Sequence, residues 1–159
     1  MPNKWTFKVK PITELLNKYV GDGVGWIDPF AGTSQYCEFS NDIKENQPNN
    51  MDAIEYLNSL PNGEFKGILL DPPYSYRQLF KTYKTNGNNL KVRLVPMTEL
   101  NNIANEKINR DGYAISFGWN SCGLGLKRGF EIVEILVICH GGHHNDTIVT
   151  VEKRTPKLF

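Results

Sequence analysis

Gly67-Ile68-Leu69-Leu70-Asp71-Pro72-Pro73-Tyr74 is the stretch from which the fold can be read. Gly67 and three large aliphatic residues run directly into an acid and two prolines. An apolar run this short, bounded by turn residues, is expected to form a strand buried on both faces, as in parallel sheets. Pro72 and Pro73 fix φ near −65° and carry no N–H, so the strand must stop there, in a rigid turn that presents carbonyls without competing donors. The same punctuation occurs upstream. Val24 to Ile27 is a short apolar strand running into Asp28-Pro29, and Glu38 to Asn41 reads as another that ends at Asp42. Turns favour Asp in any case, so the weight lies in the combination of three strands ending on acids.

Working outward, Ile12, Leu15, Leu16 and Tyr19 recur at helical spacing, with Pro11 as a first-turn residue and Gly21-Asp22-Gly23 as the stop. Ala53, Ile54, Leu57 and Leu60 mark a helix closed by Pro61. Met97, Leu100, Ile103, Ala104 and Ile108 mark a third, which Asp111-Gly112 turns into a strand from Tyr113 to Phe117. Strands from Phe130 to Ile138 and Thr147 to Val151, joined through Gly141-Gly142, read as an antiparallel hairpin at the sheet edge. Alternating strands and helices predict an α/β sheet, mostly parallel, whose ligands lie beyond the carboxyl ends of the strands. Asp28, Asp42 and Asp71 would then share one crevice.

The chain has 159 residues, 40% of them hydrophobic, which suits a single domain over 1–159. No run approaches the ~20 apolar residues that span a bilayer, and the Met1 end lacks the apolar region of a secretory signal, so the expected location is cytoplasmic. Cys37, Cys122 and Cys139 are widely spaced and form no Cys-x-x-Cys pair, which argues against a disulfide framework or a zinc site. Net charge is only +1, yet Arg77, Lys81, Lys84, Lys91, Arg93, Lys107 and Arg110 face only Glu99 and Glu106 between Tyr76 and Arg110. That segment reads equally as a phosphate-following face and as a solvated helix and loop surface. Around residues 76–95 periodicity fails and Thr85-Asn86-Gly87-Asn88-Asn89 is turn-rich, as expected of a substrate-contacting loop.

Asp71-Pro72-Pro73-Tyr74 reads equally as a strand-to-loop turn in which Asp71 caps and Tyr74 packs, and as a holder for an extruded base whose exocyclic amine receives a methyl group. Such a nitrogen is a poor nucleophile because its lone pair is delocalised into the ring. Acceptors on its hydrogens stabilise the positive charge that grows only in the transition state, and therefore accelerate the step. Asp71 offers a carboxylate and Pro72 a carbonyl. Tyr74 offers a flat ring, worth about 1–3 kcal/mol in base stacking, comparable with the cost of flipping a nucleotide.

With these residues in place, the sequence resembles small phage-type adenine-specific DNA methyltransferases, S-adenosylmethionine-dependent enzymes with a DPPY motif, over most of its length. Asp28-Pro29-Phe30-Ala31-Gly32 is similar to their cofactor motif and Asp71-Pro72-Pro73-Tyr74-Ser75 to their catalytic motif, some 40 residues downstream. Phe7 to Tyr19, Ile115 to Ser121 and His144 to Val149 are similar to further segments of that group. The resemblance implies a Rossmann-like class I methyltransferase fold, mostly parallel with a C-terminal antiparallel hairpin, and transfer to the N6 amine of a flipped adenine in DNA. Cytosine N4, RNA guanine N2, and a non-catalytic nucleic-acid-binding module are the alternatives.

By the same resemblance, Asp71, Pro72, Pro73 and Tyr74 are catalytic. Asp28, Pro29, Phe30 and Gly32 line the methionine side of the cofactor, Asp42 accepts from its ribose and Asp52 from its adenine amine, with Lys10 and Pro11 closing over it. For Asp52 and Pro11 a helix-start role is the competing reading. Ser75 and Arg77 are expected to border the base, as are Trp119 and Asn120 from their place after the strand from Tyr113 to Phe117, with a buried tryptophan as the competing reading of Trp119. The chain departs from larger members in one respect: 13 residues separate Asp28 from Asp42, and Gly32-Thr33-Ser34-Gln35-Tyr36 has little helical periodicity. A loop is expected where those members carry a helix, with Thr33 and Ser34 as substitute contacts. Nothing resembles a separate target-recognition domain, so specificity falls to the Tyr76 to Val95 region, a homodimer or a partner. Cys139-His140-Gly141-Gly142-His143-His144 reads as a turn between strands, and no metal is expected. Gly21 to Gly25 precedes a strand and so fails as a dinucleotide loop. Phe117 is expected in the core.

Overall fold

The computed structural model describes residues 6–44, 47–73, 75, 79, 94–142 and 145–155. Six strands form one sheet: β1 (Trp26–Asp28), β2 (Phe39–Ser40), β3 (Phe65–Leu70), β4 (Ile108–Gly118), β5 (Phe130–Ile138) and β6 (Thr147–Arg154), in the order β2-β1-β3-β4-β6-β5. The pairs β1–β2, β1–β3 and β3–β4 are parallel, while β6 runs antiparallel to both β4 and β5. The C-terminal hairpin is therefore present, with β6 on its inner side and β5 at the edge.

Helices α1 (Lys10–Tyr19), α2 (Ala53–Ser59) and α3 (Met97–Lys107) cover the two faces. Successive residues of β3 point to opposite sides. Ile68 and Leu70 pack with Leu57, Leu100, Ala104 and Ala114 in one buried cluster, and Leu69 packs with Leu15, Leu16, Ile115, Phe117 and Val151 in the other. Each such aliphatic side chain contributes about 1.5–3 kcal/mol by leaving water, which is why the Gly67–Leu70 run could not lie on a surface. Gly67 belongs to the same logic. A Cβ there would come within 2.5 Å of the Trp26 ring, so β1 and β3 approach each other through a tryptophan laid over a glycine.

Several boundaries differ from the sequence expectation. Strand β3 begins at Phe65, because Phe65 is buried in the first cluster while Lys66 points outward. Asp111-Gly112 does not form a turn. The buried Lys107 ammonium donates to Leu60 O (2.9 Å) and Asn62 Oδ1 (2.7 Å), which anchors the end of α3, and β4 starts at once at Ile108. The intervening polar residues are absorbed by a register shift between Phe65 and Gly67. Strand β2 is only two residues long, supplemented by a parallel bridge between Asn41 and Asn49. Strand β6 continues beyond Val151 to Arg154. On β5 the register shifts between Ile132 and Glu134, leaving Val133 as an inserted residue.

Candidate active site

Strands β1 and β3 are neighbours in register Ile27↔Ile68, so Asp28 and Asp71 emerge at the same, carboxyl, end of the sheet. Asp28 is buried. Its Oδ1 accepts from Phe30 N (3.0 Å), but its Oδ2 is covered and, among the described residues, has no hydrogen-bond partner. Burial pushes its carboxyl up to about 7, an effect opposed by the Phe30 N–H and augmented by the Asp42 charge. Asp71 is partly exposed as a residue, yet its Oδ1 is sealed and likewise unpartnered. Burial first, and then the Asp28 charge, hold its carboxyl well above the ordinary range. Buried carboxyl oxygens without a hydrogen-bond partner are rare enough to need a reason. A third orphan lies nearby in chemistry if not in sequence. Tyr56 on α2 has a buried, unpartnered hydroxyl, pushed up to about 12 by burial and then by the charge of Asp28.

The turn after β1 supplies the other wall. Pro29 is buried and Phe30 packs against the first core cluster. Gly32 adopts φ +55°, a conformation that glycine accepts without cost, and nothing lies within 4 Å of where its Cβ would be. As expected, residues 32–38 contain no helix. Side chains hold this loop instead. Asp42 accepts Gly32 N on Oδ2 (3.1 Å) and Lys44 N on Oδ1 (2.9 Å). Gln47 Nε2 donates to Gly32 O (2.6 Å) and Ser34 O (3.1 Å). Tyr36 meets the ring of Phe7 edge-on at 5.8 Å, and Phe7 in turn packs on Phe117 in the core.

Asn41 is the residue that sequence reading missed. It is fully buried, its Nδ2 donates to Pro29 O and Met51 O (both 3.1 Å), and its Oδ1 accepts Met51 N (2.9 Å). Its backbone N–H donates to Asp28 O and its carbonyl accepts from Ala31 N, each at 2.9 Å. Its place between a strand end and Asp42 was the only hint in the sequence.

The remaining expected site residues sort as follows. Asp52 caps α2 through Oδ1, which accepts Ile54 N (2.9 Å) and Glu55 N (3.4 Å), so the helix-start role is real. Lys10 opens α1 at the surface, 3.9 Å from Glu14, with Pro11 in the first turn. Pro72 is buried and Pro73 and Ser75 are half-buried. Trp119 and Asn120 leave β4 at the same end of the sheet as Pro72-Pro73, given the register Leu70↔Ser116. Trp119 is 43% exposed and Asn120 Oδ1 accepts Cys122 N (2.9 Å). Tyr74, Arg77, most of the 76–95 segment, His143 and His144 lie outside the described residues. His140 Nε2 lies 2.8 Å from Thr147 Oγ1. Among the described residues no helix is long and apolar enough to cross a membrane.

No family model matches the sequence, and no curated protein does. Among solved structures, Burkholderia thailandensis 1,6-didemethyltoxoflavin-N1-methyltransferase, with bound 1,6-didemethyltoxoflavin and S-adenosylhomocysteine, is similar over 96% of this chain and 81% of its own, at 12% identity and a TM-score of 0.59. M. jannaschii TYW2 in complex with AdoMet is similar over 80% of this chain and 66% of its own, at 12% identity and a TM-score of 0.37. At that identity the first likeness is one of fold. The chain has the Rossmann-like α/β architecture expected of it, mostly parallel with antiparallel C-terminal strands.

Proposed function

We propose that this chain is an S-adenosylmethionine-dependent methyltransferase acting on the N6 amine of adenine in DNA. The observation that carries the reading is Oδ1 of Asp71, at the carboxyl end of β3 and immediately before Pro72-Pro73, a buried oxygen to which no described residue donates. An orphaned carboxylate oxygen calls for a donor, and an amine hydrogen is one.

The cofactor assignment passes a test on the chain's own groups. Asp28 Oδ2 is a second buried acceptor without a donor, suited to an ammonium, and the space beside Gly32 is open to a ligand. Asp28 and Gly32 would hold the methionine end, Asp42 the ribose and Asp52 the adenine. Lys10 and Pro11 would close the site from the start of α1. S-adenosylmethionine supplies an electrophilic sulfonium methyl when bound. The protein's part is to orient and to polarise. Asp71 and the Pro72 carbonyl would accept hydrogen bonds from the two amine hydrogens and draw the nitrogen toward tetrahedral geometry. As the N–C bond forms the methyl–sulfur bond breaks, the thioether product departs and the methylated amine loses one proton to solvent, while Tyr74 stacks the flipped base and Pro73 keeps the turn rigid. Ser75, Arg77, Trp119 and Asn120 border the base. Orientation of two reactants can supply ~7 kcal/mol or more, and each well-placed acceptor a further ~3 kcal/mol. The choice of adenine and of DNA rests on the likeness to the phage-type group. One solved structure of this fold is, by its name, an N1-methyltransferase of 1,6-didemethyltoxoflavin.

Asp71→Ala is expected to bind S-adenosylmethionine in calorimetry as the unmodified chain does, while methyl incorporation into oligonucleotides falls by ~10²-fold or more. Unchanged turnover in that variant refutes the assignment. Oligonucleotides lacking adenine or lacking cytosine separate N6 from N4 transfer.

A further inference from the structure

We propose that Asn41 and Gln47 are positioning residues for the cofactor, replacing the helix absent between Gly32 and Asp42; the proposal rests on the reading given above. Asn41 makes five hydrogen bonds with no exposed surface, and they tie it to two separate stretches of chain: Asp28, Pro29 and Ala31 at the end of β1, and Met51. Met51 is the residue before Asp52. Asp28 and Asp52 are the acids assigned to the two ends of one elongated ligand, so the separation between them sets whether both ends can be held at once.

Backbone-to-backbone pairing does not fix that separation, because β2 is two residues long and the parallel bridge beyond it joins a single pair, Asn41 and Asn49. With Asn49 Nδ2 on Ser40 O (3.1 Å) and Asn50 Nδ2 on Asp42 O (2.8 Å) beside them, the three side-chain bonds of Asn41 do. No other residue type reproduces them. Aspartate lacks both Nδ2 donors, leucine lacks every polar atom, and glutamine is one methylene too long for a site with no spare room. Gln47 works on the opposite side of the same turn. Its amide caps the carbonyls of Gly32 and Ser34, groups that would otherwise point into a loop without a helix to receive them. Its hold on Gly32 also keeps the glycine's open side unobstructed.

The two residues can be tested apart. Gln47 is half-buried in a surface connection, so Gln47→Ala should fold normally, with an unchanged urea midpoint. Its affinity for S-adenosylmethionine in calorimetry is expected to fall about tenfold. Asn41→Ala should weaken binding further, raising KM for S-adenosylmethionine while kcat at saturating cofactor stays within about threefold, because Asp71 and Pro72 follow directly on β3 and are not held by Asn41. Hydrogen exchange at the Met51 amide, measured without cofactor, should lose protection in Asn41→Ala while amides of β3 and β4 keep theirs. Unchanged affinity in Gln47→Ala together with unchanged affinity or unchanged Met51 exchange in Asn41→Ala overturns the proposal. Should Asn41→Ala fail to fold, affinity in Gln47→Ala decides. Failure of the unmodified chain to bind S-adenosylmethionine defeats the functional reading instead, and the Met51 exchange still reports whether the brace exists.

Discussion

Asp28→Asn offers a test in which the sign is as informative as the size. The Asp28 carboxyl is pushed up from its ordinary value of 3.8 to about 7, chiefly by burial. At ~1.4 kcal/mol per pH unit, holding this group ionised in the folded protein costs about 4 kcal/mol. Below pH 3.8 it is neutral in both states and the cost is absent. As pH rises toward 7 the unfolded chain releases the proton first, so the folded state binds more protons and stability falls; above 7 the loss is complete. Asparagine keeps the acceptor for Phe30 N–H (3.0 Å) and carries no charge. Its amide nitrogen would occupy the place of the unpartnered Oδ2 and cost ~1–3 kcal/mol, but equally at every pH. The diagnostic quantity is therefore the change with pH. Urea unfolding of both proteins without cofactor should show the stability difference moving in favour of Asp28→Asn by about 4 kcal/mol between pH 4 and pH 8. That is a large part of the ~5–15 kcal/mol that holds a domain together. Parallel pH profiles would refute the claim that Asp28 is held in a dry site.

The same acid gives a binding signature: at pH 6, calorimetry of S-adenosylmethionine in buffers of different ionisation enthalpy should report release approaching one proton, as Asp28 ionises to meet the ligand's ammonium. No buffer dependence would mean that the ammonium binds elsewhere. Gly67→Ala should destabilise the protein by ~1–3 kcal/mol in urea, since its Cβ would lie 2.5 Å from the Trp26 ring; an unchanged midpoint would show that ring free to move. Tyr56→Phe removes a buried hydroxyl without a partner and should leave stability equal or up to ~1 kcal/mol higher, measured the same way. A loss would reveal a hydrogen bond to that hydroxyl.

The strand ends were legible because proline follows the acid at Asp28-Pro29 and Asp71-Pro72, and no strand continues through that pairing of residues. The missing helix after Gly32 was legible from the lack of periodicity. The start of β4 was not. Asn109-Arg110-Asp111-Gly112 has the composition of a turn, and only the anchoring of Lys107 and a shifted register against β3 make it a strand. Asn41 escaped for a different reason. All five of its bonds are to backbone groups, and a bond to a backbone N–H or carbonyl leaves no trace in the identity of the residue that owns it. Asp52 shows the converse. Its capping of α2 was readable from Ala53-Ile54 alone, which is why residue type could not separate that role from a ligand contact.

The bulge at Val133 has a consequence for how the molecule behaves in company. Among the described residues β5 closes the sheet with an outer row of backbone groups, and Ile132, Ile135 and Val137 are each about half exposed (49%, 47% and 50%). Phe130–Ile138 contains no lysine or proline to repel an incoming strand. The inserted residue bends the edge and increases its twist, so that a straight strand cannot lie along its full length. Deleting Val133 would make the pairing with β6 continuous and the edge flat, and a protein that keeps its fold would become a template for stacking its neighbours.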